Sequence, residues 1–145
     1  MKIVIVCTGN TCRSPMAEAL LRGALSKRGV DSVTVTSAGL YCKAGMPASR
    51  NAIAVMAEHG IDLSGHLSHA LEDIDASGGL ILCMTRAHAD AVRRLIDCAD
   101  VHIITAYAEL DGDVDDPFGG DMSSYRKTAA FIKDIAERIA DKLCR

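Results

Sequence analysis

The sequence predicts an α/β protein, a parallel sheet covered by helices on both faces, within one domain over residues 1–145. Three observations carry this. Short β-branched runs alternate with helical stretches along the whole chain. The first run, Lys2–Val6, is continuously apolar after its lysine, as a strand buried on both faces must be. The 145 residues are 49% hydrophobic and 24% charged, a balance that supports one sizeable core and excludes a disordered chain.

The elements follow in order. After Lys2–Val6, residues 8–13 form a polar loop. Ser14-Pro15-x-x-Glu18 then reads as a helix start, with Ser14 as N-cap, Pro15 in the first turn and Glu18 completing a capping box. That helix carries Met16, Ala19, Leu20, Ala24 and Leu25 on one stripe and ends at Lys27-Arg28-Gly29. Val33–Ser37 is a second strand, and Gly39–Gly45 a glycine-containing stretch. Pro47 to Glu58 reads as a helix stopped by His59-Gly60. Gly79–Met84 is a third buried strand, after which Thr85 caps a helix through about Ile96. Val101–Thr105 is the fourth strand. An acidic loop, Asp111 to Asp121, leads to Ser123/Ser124, which open a final amphipathic helix to Leu143. We find no internal repeat, low-complexity tract or linker.

Composition excludes several functions. The formal net charge of −3 provides no basic footprint for nucleic acid or an anionic membrane surface. Aromatic residues at 3%, without Trp, leave no platform for stacked bases. No apolar stretch approaches the roughly 18–20 residues that span a bilayer, and Ile3 to Val6 is too short for a signal-peptide core. A cytoplasmic location is the expectation. In a reducing compartment the six cysteines are thiols, so a special one among them is catalytic or redox-active. Their spacings suggest no metal site, and no cofactor is expected.

The first loop has the residues of an anion cradle. Cys7-Thr8-Gly9-Asn10-Thr11-Cys12-Arg13-Ser14 joins a strand end to a helix start, where backbone N–H groups and the positive helix end converge. Gly9 and Asn10 tolerate the left-handed backbone that such a nest requires. Arg13 can fold back to present a planar fork to phosphate oxygens. These surroundings favour a thiolate, which makes Cys7 the candidate nucleophile. The loop lacks the Gly-Lys-Ser/Thr ending of nucleotide-binding loops and the three glycines of a dinucleotide fingerprint. Displacement at phosphorus also needs an acid for the leaving group. Asp116, in Asp115-Asp116-Pro117-Phe118-Gly119-Gly120, is the candidate, its backbone held extended by Pro117.

These residues resemble the low-molecular-weight protein tyrosine phosphatase family. The likeness runs through residues 4–18, Ser37-Ala38-Gly39, His59-Gly60-Ile61 and Asp116-Pro117-Phe118-Gly119. It implies a four-stranded parallel sheet in the order 2-1-3-4 within a three-layer domain. It also implies Cys7 as nucleophile, Arg13 as phosphate-binding arginine and Asp116 as general acid. Ser14 maps to the hydroxyl that steadies the thiolate, and Asn10, Ser37 and His66 to the network that shapes the loop. Cys12 resembles a cysteine that can form a reversible disulfide with the nucleophile. Substrate contacts are expected from Thr8, Gly9, Asn10, Thr11, Cys12 and Ser14, with Leu40, Tyr41 and Phe118 at the cleft mouth.

Within the family, Thr11 in place of an aliphatic residue, and Gly119 where a second aromatic would stand, resemble the bacterial protein arginine phosphatase branch. The implied partners are a phosphorylated protein and, in the loop, inorganic phosphate or a similar oxyanion. A tyrosine phosphatase with the same mechanism is the alternative. A thiol-dependent arsenate reductase shares the loop but relays electrons through further cysteines. Here Cys83 and Cys98 stand fifteen residues apart, a poor relay. A phosphate-binding redox sensor would need no Asp116.

Overall fold

The computed structural model describes residues 1–97 and 99–145. Strands β1 (Lys2–Cys7), β2 (Thr34–Gly39), β3 (Leu80–Cys83) and β4 (Asp100–Ile103) form one sheet. Its order is β2-β1-β3-β4 and every pairing is parallel. The expected order and class are both observed. The helices are α1 (Arg13–Lys27), α2 (Arg50–Glu58), α3 (Arg86–Leu95), α4 (Ile104–Tyr107) and α5 (Met122–Cys144).

Strand β1 lies between two neighbours, and its alternation divides the core. Ile3, Ile5 and Cys7 face a cluster built from α1, α2 and α5, including Met16, Leu21, Met56, Ile132 and Ile139. Val4 and Val6 face the opposite layer, with Ala89 and Val92 of α3 and Leu71 of a short 3-10 turn. Residues 3–6 are fully buried, which accounts for the run having no polar alternate positions.

Helix α1 ends as its sequence requires. Gly29 has φ of 69° and donates to the Ser26 carbonyl, while the Val30 N–H reaches the Leu25 carbonyl. These are the paired bonds of a Schellman terminus, and only glycine adopts that backbone without cost. Thr85 caps α3 as expected, its oxygen accepting from the His88 N–H at 3.1 Å.

Other boundaries differ for identifiable reasons. Ser14 is not the N-cap of α1; the helix begins at Arg13 behind Cys12, with no side-chain cap. Ser14 is completely buried and its hydroxyl is engaged with Cys7 and Asn10, so tertiary contacts have taken the expected cap. Glu18 does not close a capping box but pairs with Arg22 one turn on, at 3.2 Å. Helix α2 starts at Arg50 rather than Pro47, because the Ser49 hydroxyl caps it through the Ala52 N–H and Pro47 instead bridges Leu67. Asp121, not Ser123 or Ser124, caps α5 through the Ser124 N–H at 3.0 Å. The fourth strand stops at Ile103, where the chain turns directly into α4 and the Thr105 hydroxyl donates to the Gly112 carbonyl.

Candidate active site

The carboxyl end of β1 delivers Cys7 to the amino end of α1, and residues 8–12 wrap the space between. In an open parallel sheet this is where a ligand meets strand ends and helix amides together. A cavity of about 200 Å3 lies there, lined by Cys7, Thr8, Gly9, Thr11, Cys12, Arg13, Asp116 and Phe118.

Asn10 shapes the loop. It has φ of 56°, a left-handed backbone that asparagine tolerates better than most residues, and it is completely buried. Its Nδ2 donates to Ser14 Oγ at 2.8 Å and Ser37 Oγ at 2.9 Å, and its Oδ1 accepts from the His69 N–H at 2.8 Å. His66 Nε2 lies 2.8 Å from the Asn10 carbonyl oxygen. The expected supporting set of Asn10, Ser14, Ser37 and His66 is thus brought together.

Two groups meet the Cys7 sulfur. Ser14 Oγ lies 2.8 Å from Sγ, and the Asn10 N–H donates to Sγ at 3.3 Å. Ser14 Oγ already accepts from Asn10, which leaves its hydroxyl hydrogen free to donate to sulfur.

The rest of the loop is tied down by main chain. The Leu40 N–H donates to the Cys7 carbonyl, Tyr41 N–H to Thr8, and Ser49 N–H to Thr11. Gly39 passes so close that a Cβ there would stand 2.7 Å from the Thr8 carbonyl oxygen and 3.1 Å from Asn10 N. Leu40 and Tyr41 hold the loop through their amides, and neither is among the residues that line the cavity. Asn10 and Ser14 also stand behind the cavity wall rather than in it. Thr8, Gly9, Thr11, Cys12 and Phe118 do line it.

Arg13 is 5% exposed and spans two loops. Its Nη1 donates to the Val114 carbonyl at 3.0 Å, and its Nη2 lies 3.4 Å from Asp116 Oδ2. Asp116 Oδ1 accepts from the Phe118 N–H at 3.1 Å, which aims the carboxylate. The sequence thus placed Cys7, Arg13 and Asp116 in one site, although more than 100 residues of chain separate the first from the last.

Other contacts carried no residue-specific signal. His88, assigned no role from sequence, bonds Thr8 Oγ1 through Nε2 at 2.8 Å, and burial followed by the nearby Arg13 charge hold its pKa below the ordinary value. Cys12 Sγ lies 3.3 Å from both Ser49 Oγ and the buried Tyr125 hydroxyl. Burial, aided by the bond to Cys12, pushes that phenol up to about 12. A larger groove, about 660 Å3, is lined by Arg22, Asp62, His66, His69 and Asp73 among others and contains no cysteine. Cys83 is fully buried, and burial pushes its thiol up to about 12, unsuited to an electron relay. Cys98, its suggested partner, lies outside the described residues. Among the described residues no cluster of metal ligands occurs, and no helix is long and apolar enough to cross a membrane.

A family model, the low molecular weight phosphotyrosine protein phosphatase, matches residues 2–145. The chain belongs to this family. It is 39% identical to a protein-arginine-phosphatase of Geobacillus stearothermophilus over 98% of this chain and 95% of the relative. It is 34% identical to the low molecular weight protein-tyrosine-phosphatase PtpB of Staphylococcus epidermidis, over 98% and 99%. Among solved structures it superimposes on a cysteine-to-serine mutant of the YwlE arginine phosphatase with a phosphorylated active-site serine. That match has a TM-score of 0.92 and 35% identity, covering 99% of this chain and 95% of the other. The chain is a low molecular weight protein phosphatase, a hydrolase.

Proposed function

We propose that this phosphatase hydrolyses protein phosphoarginine through a phosphocysteine at Cys7. The reading rests on one observation above all, that Thr11 is among the residues lining the cavity with Cys7. A hydroxyl there can donate to or accept from a phosphoramidate or a water molecule, which an alkyl group cannot. Gly119 (φ of 81°) adds no second aromatic wall to the exposed ring of Phe118. The arginine phosphatases among the relatives support the same reading.

In the first step the Cys7 thiolate attacks phosphorus in line. Loop amides and Arg13 hold the three equatorial oxygens, the S–P bond forms, and the P–N bond breaks with its electron pair leaving on nitrogen. Asp116 supplies the proton that nitrogen takes up. In the second step water attacks the phosphocysteine, Asp116 accepts a proton, and phosphate and the thiolate are released. On this reading Thr11 orients that water. Ser14 and Asn10 steady the sulfur as it departs. The partners are a phosphorylated protein and, between turnovers, inorganic phosphate, and we place the enzyme in the cytoplasm.

The discriminating experiment compares phosphoarginine and phosphotyrosine peptides with the wild-type protein and with Thr11→Ile. The expected result is a wild-type preference for phosphoarginine that Thr11→Ile reverses. A wild type that prefers phosphotyrosine establishes the alternative, with the same nucleophile, acid and intermediate.

A further inference from the structure

His88 is a buried histidine that these two steps do not use. It is 7% exposed and stands in the first turn of α3, outside the cavity lining. Its ring joins two hydroxyls. Nε2 lies 2.8 Å from Thr8 Oγ1, and Nδ1 lies 2.9 Å from Thr85 Oγ1, the oxygen that caps α3. Thr8, in turn, lines the cavity next to Cys7. The arrangement reaches from the helix scaffold to the reacting centre through a single imidazole.

Hydrogen accounting gives the chain a direction. Thr85 Oγ1 accepts from the His88 N–H and keeps a second lone pair; the assignment that also employs its own hydrogen within the network has it donating to Nδ1. A neutral imidazole that accepts at Nδ1 carries its hydrogen at Nε2. Nε2–H then donates to Thr8 Oγ1, and the Thr8 hydrogen is left to point elsewhere. The charged groups acting on the ring are Arg13 of α1 and Asp113 and Asp116 of the acidic loop; burial and the Arg13 charge, which favour the neutral ring, outweigh the two carboxylates.

We propose that His88 is a positioning residue acting through Thr8: it fixes the Thr8 side chain and turns its hydroxyl hydrogen into the cavity, towards a phosphoryl oxygen of the substrate. This deepens the phosphatase reading and rests on it. Thr8 adds a side-chain donor to the backbone amides that hold the phosphoryl group, and it is held from behind by an element that does not touch substrate. A threonine free to rotate would spend part of its time with the methyl group facing the oxyanion.

A double-mutant cycle tests this with p-nitrophenyl phosphate, whose hydrolysis requires the cysteine chemistry but not arginine specificity. Failure of the phosphoarginine assignment therefore leaves the cycle intact. Thr8→Val and His88→Ala are each expected to lower kcat/KM roughly tenfold, the worth of one hydrogen bond to a charged group. The double variant is expected to be no worse than either single one. His88→Gln, which can present an amide N–H to Thr8, is expected to recover most of the loss. His88→Asn, too short to reach Thr8 but still polar, serves in the cycle if the alanine variant does not fold. Losses that multiply in the double variant, or unchanged kcat/KM in a folded His88→Ala or His88→Asn protein, overturn the proposal.

Discussion

One guanidinium joins the two loops of the active site: Arg13 Nη2 lies 3.4 Å from Asp116 Oδ2 while Nη1 donates to the Val114 carbonyl at 3.0 Å. Val114 is fully buried and its N–H donates to the Met84 carbonyl at the end of β3. The loop that carries Asp116 is therefore anchored to the sheet beside β1, the strand that carries Cys7. In the proposed mechanism Arg13 has two tasks, to hold the phosphoryl oxygens and to keep Asp116 within reach of the leaving atom.

Arg13→Lys should fail at both. An ammonium is a point donor and cannot serve the Val114 carbonyl, the carboxylate and phosphate oxygens together. We expect kcat/KM to fall roughly 100-fold or more, with weakened binding of inorganic phosphate. Asp116→Asn should instead lower kcat by roughly 100-fold or more while phosphate still binds. Steady-state kinetics with calorimetric phosphate titration separates the two patterns.

Asn10 should be the structural weak point of the loop. Asn10→Ala removes the partners of Ser37 Oγ and the His69 N–H and leaves a residue poorly suited to φ of 56°. A loss of about 2–4 kcal/mol in folding stability is expected from the buried polar groups left unpaired. Urea unfolding measures it. A stability within experimental error of wild type would show that the network is ornamental.

His88 should make stability depend on pH on the acid side of neutrality. Burial, then the Arg13 charge, hold its folded-state pKa below the ordinary 6.5. Above that ordinary value the ring is neutral in both states and its contribution is complete. As pH falls from there towards the lower folded-state value, the unfolded chain binds the proton first and stability is progressively lost. Unfolding midpoints between about pH 8 and 5 should fall less in His88→Gln than in wild type; equal slopes would contradict the assignment.

Much of this was legible in the residues. The β1 run announced a central strand because both its faces are buried. Gly29 and Thr85 marked helix ends because their signals act within a few residues. The loop from Cys7 to Ser14 could be read for the same reason, its chemistry being contiguous. Ser14 misled because a serine before Pro15 is an ordinary cap unless something distant claims its hydroxyl, and Cys7 and Asn10 do. The amide bonds of Leu40 and Tyr41 to the loop were not legible, because main-chain contacts leave no mark on residue type. His88 was unreadable because its partner Thr8 lies eighty positions away and meets it only through the packing of α3 beside β1.

The most direct measurement mixes the enzyme with p-nitrophenyl phosphate, quenches within the first turnover and locates the phosphoryl group by mass spectrometry, with Cys7→Ser in parallel. We predict a burst of one nitrophenol per chain, phosphate on the Cys7 sulfur, and no turnover in Cys7→Ser, which still binds inorganic phosphate. Phosphate found on Cys12 or on no residue, or turnover in Cys7→Ser matching wild type, would contradict the account.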